Sequence, residues 1–201
     1  LAAIHPWRSL LRMTKMANAE GVAIRGQVNS RAIGRLYGLE LSSNPLSFRP
    51  SWRAIATLSR TEKVAALRDP ALRARLLAEP PQNAAPNLLR DAVDYDRMFE
   101  LGDPPNYEPA AHTSAAAIGK RLGRPADEIV YDWLLQDDGR AIIYHPAGYS
   151  GSLDAEFELL SDPGTVPGLG DGGAHVGRIC DASGTTFLLS HWTRDRRGDR
   201  L

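Results

Sequence analysis

The sequence predicts an α/β chain with a parallel sheet, read as a piece of a larger barrel. Three observations carry that reading. Apolar residues recur at helical spacing in several segments. Short strand-like runs separate those segments, and parallel neighbours require such intervening crossovers. About three strands are visible, one of them far from the others in sequence. Three strands do not close a barrel, so a piece of a larger barrel accounts for the spacing better than a complete small sheet. The chain starts at Leu1 rather than Met and ends at Leu201 after a polar run. The expectation is therefore one incomplete barrel domain over residues 1–201, a piece of a longer protein.

The elements follow in order. Trp7, Leu10, Leu11 and Met13 lie at helical spacing, which predicts a helix from Trp7 to Ala19, stopped at Gly21. Val22 to Val28 reads as a strand. Residues 29–50, with Gly34, Gly38, Ser42, Ser43, Asn44, Pro45 and Pro50, read as loop. Ser59-Arg60-Thr61-Glu62 fits a capping box, opening a helix through Leu67. Asp69-Pro70 opens another, to about Glu79. Residues 80–86 form a surface connection and 87–109 an irregular excursion. Helices are expected at 113–122 and 125–136, the second ended by Gly139. Then come a strand at 140–144, a helix at 153–160 and a strand at 165–169. No internal repeat is present.

Composition excludes several functional classes. Lys and Arg total 24, as do Asp and Glu, so no basic footprint for nucleic acid or an anionic membrane exists. No apolar run approaches the roughly 18 residues needed to cross a bilayer. The single cysteine, Cys180, forbids an internal disulfide and fits a reducing, cytoplasmic setting. A small-molecule substrate is the expected partner; oligomeric state is left open.

The chemistry-bearing residues concentrate in the glycine-rich run 164–177 and its sequel. Asp171 follows an expected parallel strand, where barrels of this kind carry catalytic groups. A carboxylate there can bind a metal or shuttle a proton; Asp-Gly is equally a turn signal. His175, four residues on, reads as a ligand, a substrate partner or a loop-holding residue. His145 ends the expected strand at 140–144, another cleft position. Arg31 follows the strand ending at Val28, where a guanidinium can grip a substrate carboxylate or brace the loop. His191, beside Trp192, reads as packing. The cluster Arg194, Asp195, Arg196, Arg197 and Arg200 reads as a solvated face or an ion-pair network. Gly168-x-Gly170-x-x-Gly173 matches a dinucleotide fingerprint, but Gly177 and Gly184 interrupt the helix that such a site requires.

The block Gly168-Leu169-Gly170-Asp171-Gly172-Gly173-Ala174-His175-Val176, followed by Cys180-Asp181-Ala182-Ser183 and Leu188-Leu189-Ser190-His191-Trp192-Thr193-Arg194-Asp195-Arg196, resembles the late-barrel signature of the N-acyl-D-amino-acid deacylase (D-aminoacylase-like) branch of the amidohydrolase superfamily, amidohydrolase family 3. Residues 27–31 and 101–109 agree with it. The resemblance implies a TIM barrel of the metal-dependent hydrolase type and a divalent metal, zinc, with most ligands outside this chain. It implies that Asp171 touches the metal site and acts as general base, then general acid, in hydrolysing a non-peptide amide C–N bond of an N-acyl-D-amino acid. A serine commonly precedes that aspartate in the family; here Gly170 does. The alternative is a metal-poor relative that binds a ligand without hydrolysing it.

Overall fold

A computed structural model describes residues 6–149, 151–168, 170, 172–173, 175–179 and 182–201. Helix α1 (Pro6–Ala19) forms where the apolar spacing predicts it. Gly21 ends it at φ +89, and the amides of Gly21 and Val22 return to the carbonyls of Asn18 and Ala17. The following strand is shorter than predicted. The Asn18 side chain takes both backbone groups of Ile24, at 2.9 and 3.3 Å, so strand pairing begins only with β1 (Gly26–Val28). Strand β2 (Gly34–Tyr37) lies inside the segment expected to be loop.

Helix α2 (Arg60–Leu67) opens with the expected capping box: the Glu62 carboxylate accepts the Ser59 amide at 2.9 Å while the Ser59 hydroxyl accepts the Glu62 amide. Helix α3 (Pro70–Ala78) is capped by Asp69, which accepts the Ala71 amide at 3.0 Å. The excursion contains α4 (Pro86–Asp91) and β3 (Phe99–Glu100). Helices α5 (Ala115–Leu122) and α6 (Ala126–Leu134) follow. A 3₁₀ turn at Gln136–Gly139 then intervenes, with Asp137, Asp138 and Gly139 all at positive φ. Strand β4 (Ile143–Pro146), helix α7 (Asp154–Leu160) and strand β5 (Thr165–Pro167) come next. Helix α8 (Gly184–Ser190) runs on into a π-type turn at His191–Asp195.

The architecture is mixed α/β. Strands β1 and β5 pair in parallel, Gly26 opposite Thr165 and Val28 opposite Pro167. The other three form an antiparallel sheet in the order β2-β4-β3. This corrects the expectation of parallel strands throughout. The partner of β4 on one side comes from a stretch read as loop, and antiparallel neighbours need no crossover between them.

Among the described residues three apolar clusters result, two of them large. One lies under α2, α3 and α6, with Leu67, Leu76, Met98, Val130, Leu134 and Ile143 fully buried. Each such side chain contributes about 1.5–3 kcal/mol relative to exposure. The other, around Phe99, Tyr149, Leu153, Phe187 and Trp192, backs β1 and α8. Among the described residues, no helix is long and apolar enough to cross a membrane.

Gly139 turns the chain at φ +79 against the first core. An added Cβ would meet Val64 at 2.7 Å and Leu39 at 2.9 Å. Left-handed strain and overpacking together put the cost of Gly139→Ala at about 3 kcal/mol. Urea unfolding should show that loss as a lower midpoint at unchanged slope; a midpoint equal to the parent's would contradict it.

Candidate active site

Parallel strands expose their carboxyl ends on one side, and clefts in α/β sheets form there. A cavity of about 320 Å³ occupies that position at the ends of β1 and β5. Asn29, Ser30 and Arg31, directly after β1, line one side. Gly168, Gly170 and Gly172, after β5, line another, and α8 closes it with Thr185 and Leu188. The ladder runs one step past β5, the Gly168 amide donating to the Val28 carbonyl at 3.0 Å.

The loop after β1 is tied to α8 and the turn beyond it. The Ser30 hydroxyl donates to the Gly184 carbonyl at 2.9 Å, and the Trp192 indole donates to the Ser30 carbonyl at 2.6 Å. Arg31 is 3% exposed. Its guanidinium lies 3.7 Å over the Tyr107 ring and 5.7 Å from that of Phe187, and it donates to the Ser183 hydroxyl at 3.2 Å. The cation is thereby fixed in the cavity wall.

Behind this wall sits a dense polar cluster. Glu108 accepts from Arg196 at 2.8–3.3 Å and from the Leu153 amide at 2.8 Å, and His191 Nε2 stands 2.8 Å away. The His191 ring stacks on Phe187 at 4.4 Å. Burial pushes the Glu108 carboxyl up, but hydrogen bonds from His191, Arg196 and the Leu153 amide, with the guanidinium charge, bring it down from 4.5 to about 2. Arg196 is buried, with Asp154 at 2.5 Å and the Trp192 ring at 4.9 Å. Both readings of the 194–200 cluster thus hold in part: Arg196 is buried in an ion-pair network, whereas Arg194, paired with Asp195 at 2.6 Å, Arg197 and Arg200 are exposed.

Of the residues singled out in the sequence, Arg31 reaches the cavity. Asp171 lies outside the described residues; its chain neighbours Gly170 and Gly172 both line the cavity. His175 is exposed at φ +52, its carbonyl accepting the amides of Arg178 and Ile179, and it is not part of the lining. His145 is buried in β4 opposite Arg35, away from the lining. Its Nε2 stands 3.2 Å from Asp94, and burial holds the imidazole below its ordinary value despite that carboxylate. Among the described residues, no three His, Cys, Asp or Glu side chains gather into a group able to hold a metal. Searches of protein-family models, curated proteins and solved structures found no match to this chain.

Because the folded-state value of Glu108 is depressed, its contribution is present above pH 4.5 and lost as pH falls toward 2. Glu108→Gln leaves a buried guanidinium short of its principal partner and should cost about 3 kcal/mol at pH 7. Urea midpoints of parent and variant should converge between pH 4.5 and pH 2; a constant gap across that window would refute the assignment.

Proposed function

We propose that this chain is part of a TIM-barrel amidohydrolase that hydrolyses the non-peptide C–N bond of an N-acyl amino acid, in the manner of the N-acyl-D-amino-acid deacylases. One observation carries the reading. The cavity opens at the carboxyl ends of two parallel strands, and both chain neighbours of Asp171 line it. The resemblance of residues 168–176 and 181–183 independently assigns proton transfer to that aspartate.

The chemistry follows from two side chains. Arg31, stacked and hydrogen-bonded in the wall, orients the substrate by pairing with its carboxylate. Asp171 accepts a proton from the attacking water as its oxygen adds to the amide carbonyl carbon. The carboxyl then returns that proton to the nitrogen as the C–N bond breaks, releasing a carboxylate and an amine. The reading also includes a divalent metal, zinc. The described residues do not form a site for it, and the proton path above runs through Asp171 alone. The lone Cys180 suits action in the cytoplasm.

In the full-length gene product, Asp171→Asn should lower kcat for N-acyl-D-amino acids by about 10²–10⁴ with little change in KM, followed as released amine. Arg31→Met should instead raise KM at least about tenfold. Undiminished turnover in Asp171→Asn would end the hydrolase reading. Ligand binding without turnover in the parent would replace it with a binding protein.

A further inference from the structure

A second cavity, of about 460 Å³, lies between α1 and β1. Its walls are largely apolar, with Leu11, Val28, Ile33 and Leu159 among them and the Trp7 ring at one edge. Glu156 of α7, the acidic residue among the lining, also borders it. Its carboxyl accepts from its own backbone amide, but among the described residues no ion pair or side-chain donor meets it, although its neighbours Asp154 and Glu158 both pair with arginines. Burial raises its proton affinity, and the nearby carboxylates Glu108 and Asp154 add to the effect, opposed by Arg196 and the Glu156 amide. Arg31 also borders this cavity, but its guanidinium lies over Tyr107 and donates to Ser183.

A half-buried carboxylate with no charged side chain paired to it is costly beside apolar walls, and a cation brought against it offsets that cost. Room of this size accommodates a small organic molecule. We infer that the cavity beneath α1 is a binding site for an organic monocation on an apolar chain, a primary alkylamine in type, with Glu156 as its counter-charge and the apolar walls around its tail. Helix α1 supplies part of the wall through Trp7, Leu10, Leu11 and Thr14. That helix buries none of its residues and is held to the α7 region by the ion pairs Arg8–Glu158, at 2.8 Å, and Lys15–Asp162, at 2.5 Å. Surface pairs of this kind contribute little individually, so the helix yields easily.

The test is calorimetric titration of the intact protein with n-hexylammonium, 1-hexanol and hexanoate, which share a tail and differ in charge. Hexylammonium should bind saturably and at least about tenfold more tightly than hexanol, with hexanoate weakest. Glu156→Gln should bring hexylammonium to the level of hexanol, and Leu159→Trp, which fills the cavity without touching the carboxyl, should abolish both. Hexanoate binding as tightly as hexylammonium would hand the cavity to Arg31 and overturn the inference. So would a charge preference that survives Glu156→Gln, binding unaffected by Leu159→Trp, or no saturable binding by the parent. None of these readings depends on catalytic turnover, so the amine site and the hydrolase reading fail separately.

Discussion

The guanidinium of Arg196 is the constraint on which the cavity depends, although it does not line the cavity. A buried cation is tolerated only when its donors are satisfied. Arg196 draws together the loop carrying Glu108, the start of α7 at Asp154 and its own C-terminal run, where it also donates to the Asp199 carbonyl at 2.8 Å. Tyr107, next to Glu108 in the chain, is the ring beneath Arg31. The π-type turn that delivers Arg196 also delivers Trp192, whose indole holds the Ser30 carbonyl. Both supports of the Arg31 wall therefore trace back to one ion-pair cluster. Such a pair adds little stability over a well-packed apolar replacement; what it fixes is the relative placement of three remote segments.

The antiparallel sheet backs this arrangement. Tyr144, fully buried in β4, meets Tyr107 edge-on at 5.5 Å and 84°, and its hydroxyl donates to the Ala32 carbonyl at 3.3 Å. Leu36 of β2 and Leu101 just after β3 pack against the same ring. One aromatic side chain thus links the sheet, the loop under Arg31 and the segment leaving β1. Packing at interior density transmits displacement, so a change in β4 alters the cavity wall without touching its lining.

What the sequence disclosed was set by how local the signal is. The capping box at Ser59–Glu62 and the Asp69 cap are complete within four residues, and both helices begin where those motifs place them. Strand β2 was missed because its glycine- and serine-rich surroundings resemble loop, while the partner that makes Gly34–Tyr37 a strand is more distant in the chain than any window reaches. That omission also explains the choice of His145. At the end of a parallel strand it would face a cleft. Paired antiparallel with β2 and β3, it sits inside the sheet beside Asp94 instead. Arg31 was legible because the parallel pairing of β1 was inferred correctly, and the cavity lies where that pairing requires. Glu108 carried no such signal; only the fold brings it to Arg196 and His191.

The charge pattern bears on how a ligand of the proposed kinds would reach these cavities. Acidic and basic residues balance over the whole chain, and many are neutralised at contact range: Arg35 with Asp91, Arg73 with Asp132, Arg124 with Glu128 and Asp132. Fields from such pairs cancel within a few ångströms, and salt screens the remainder beyond about 8 Å. Long-range steering therefore contributes little to encounter rates. On the proposed readings, recognition falls to Arg31 at one cavity and Glu156 at the other, where low dielectric strengthens a contact once water has left. Ligand charge at either cavity is accordingly expressed in dissociation and orientation more than in association.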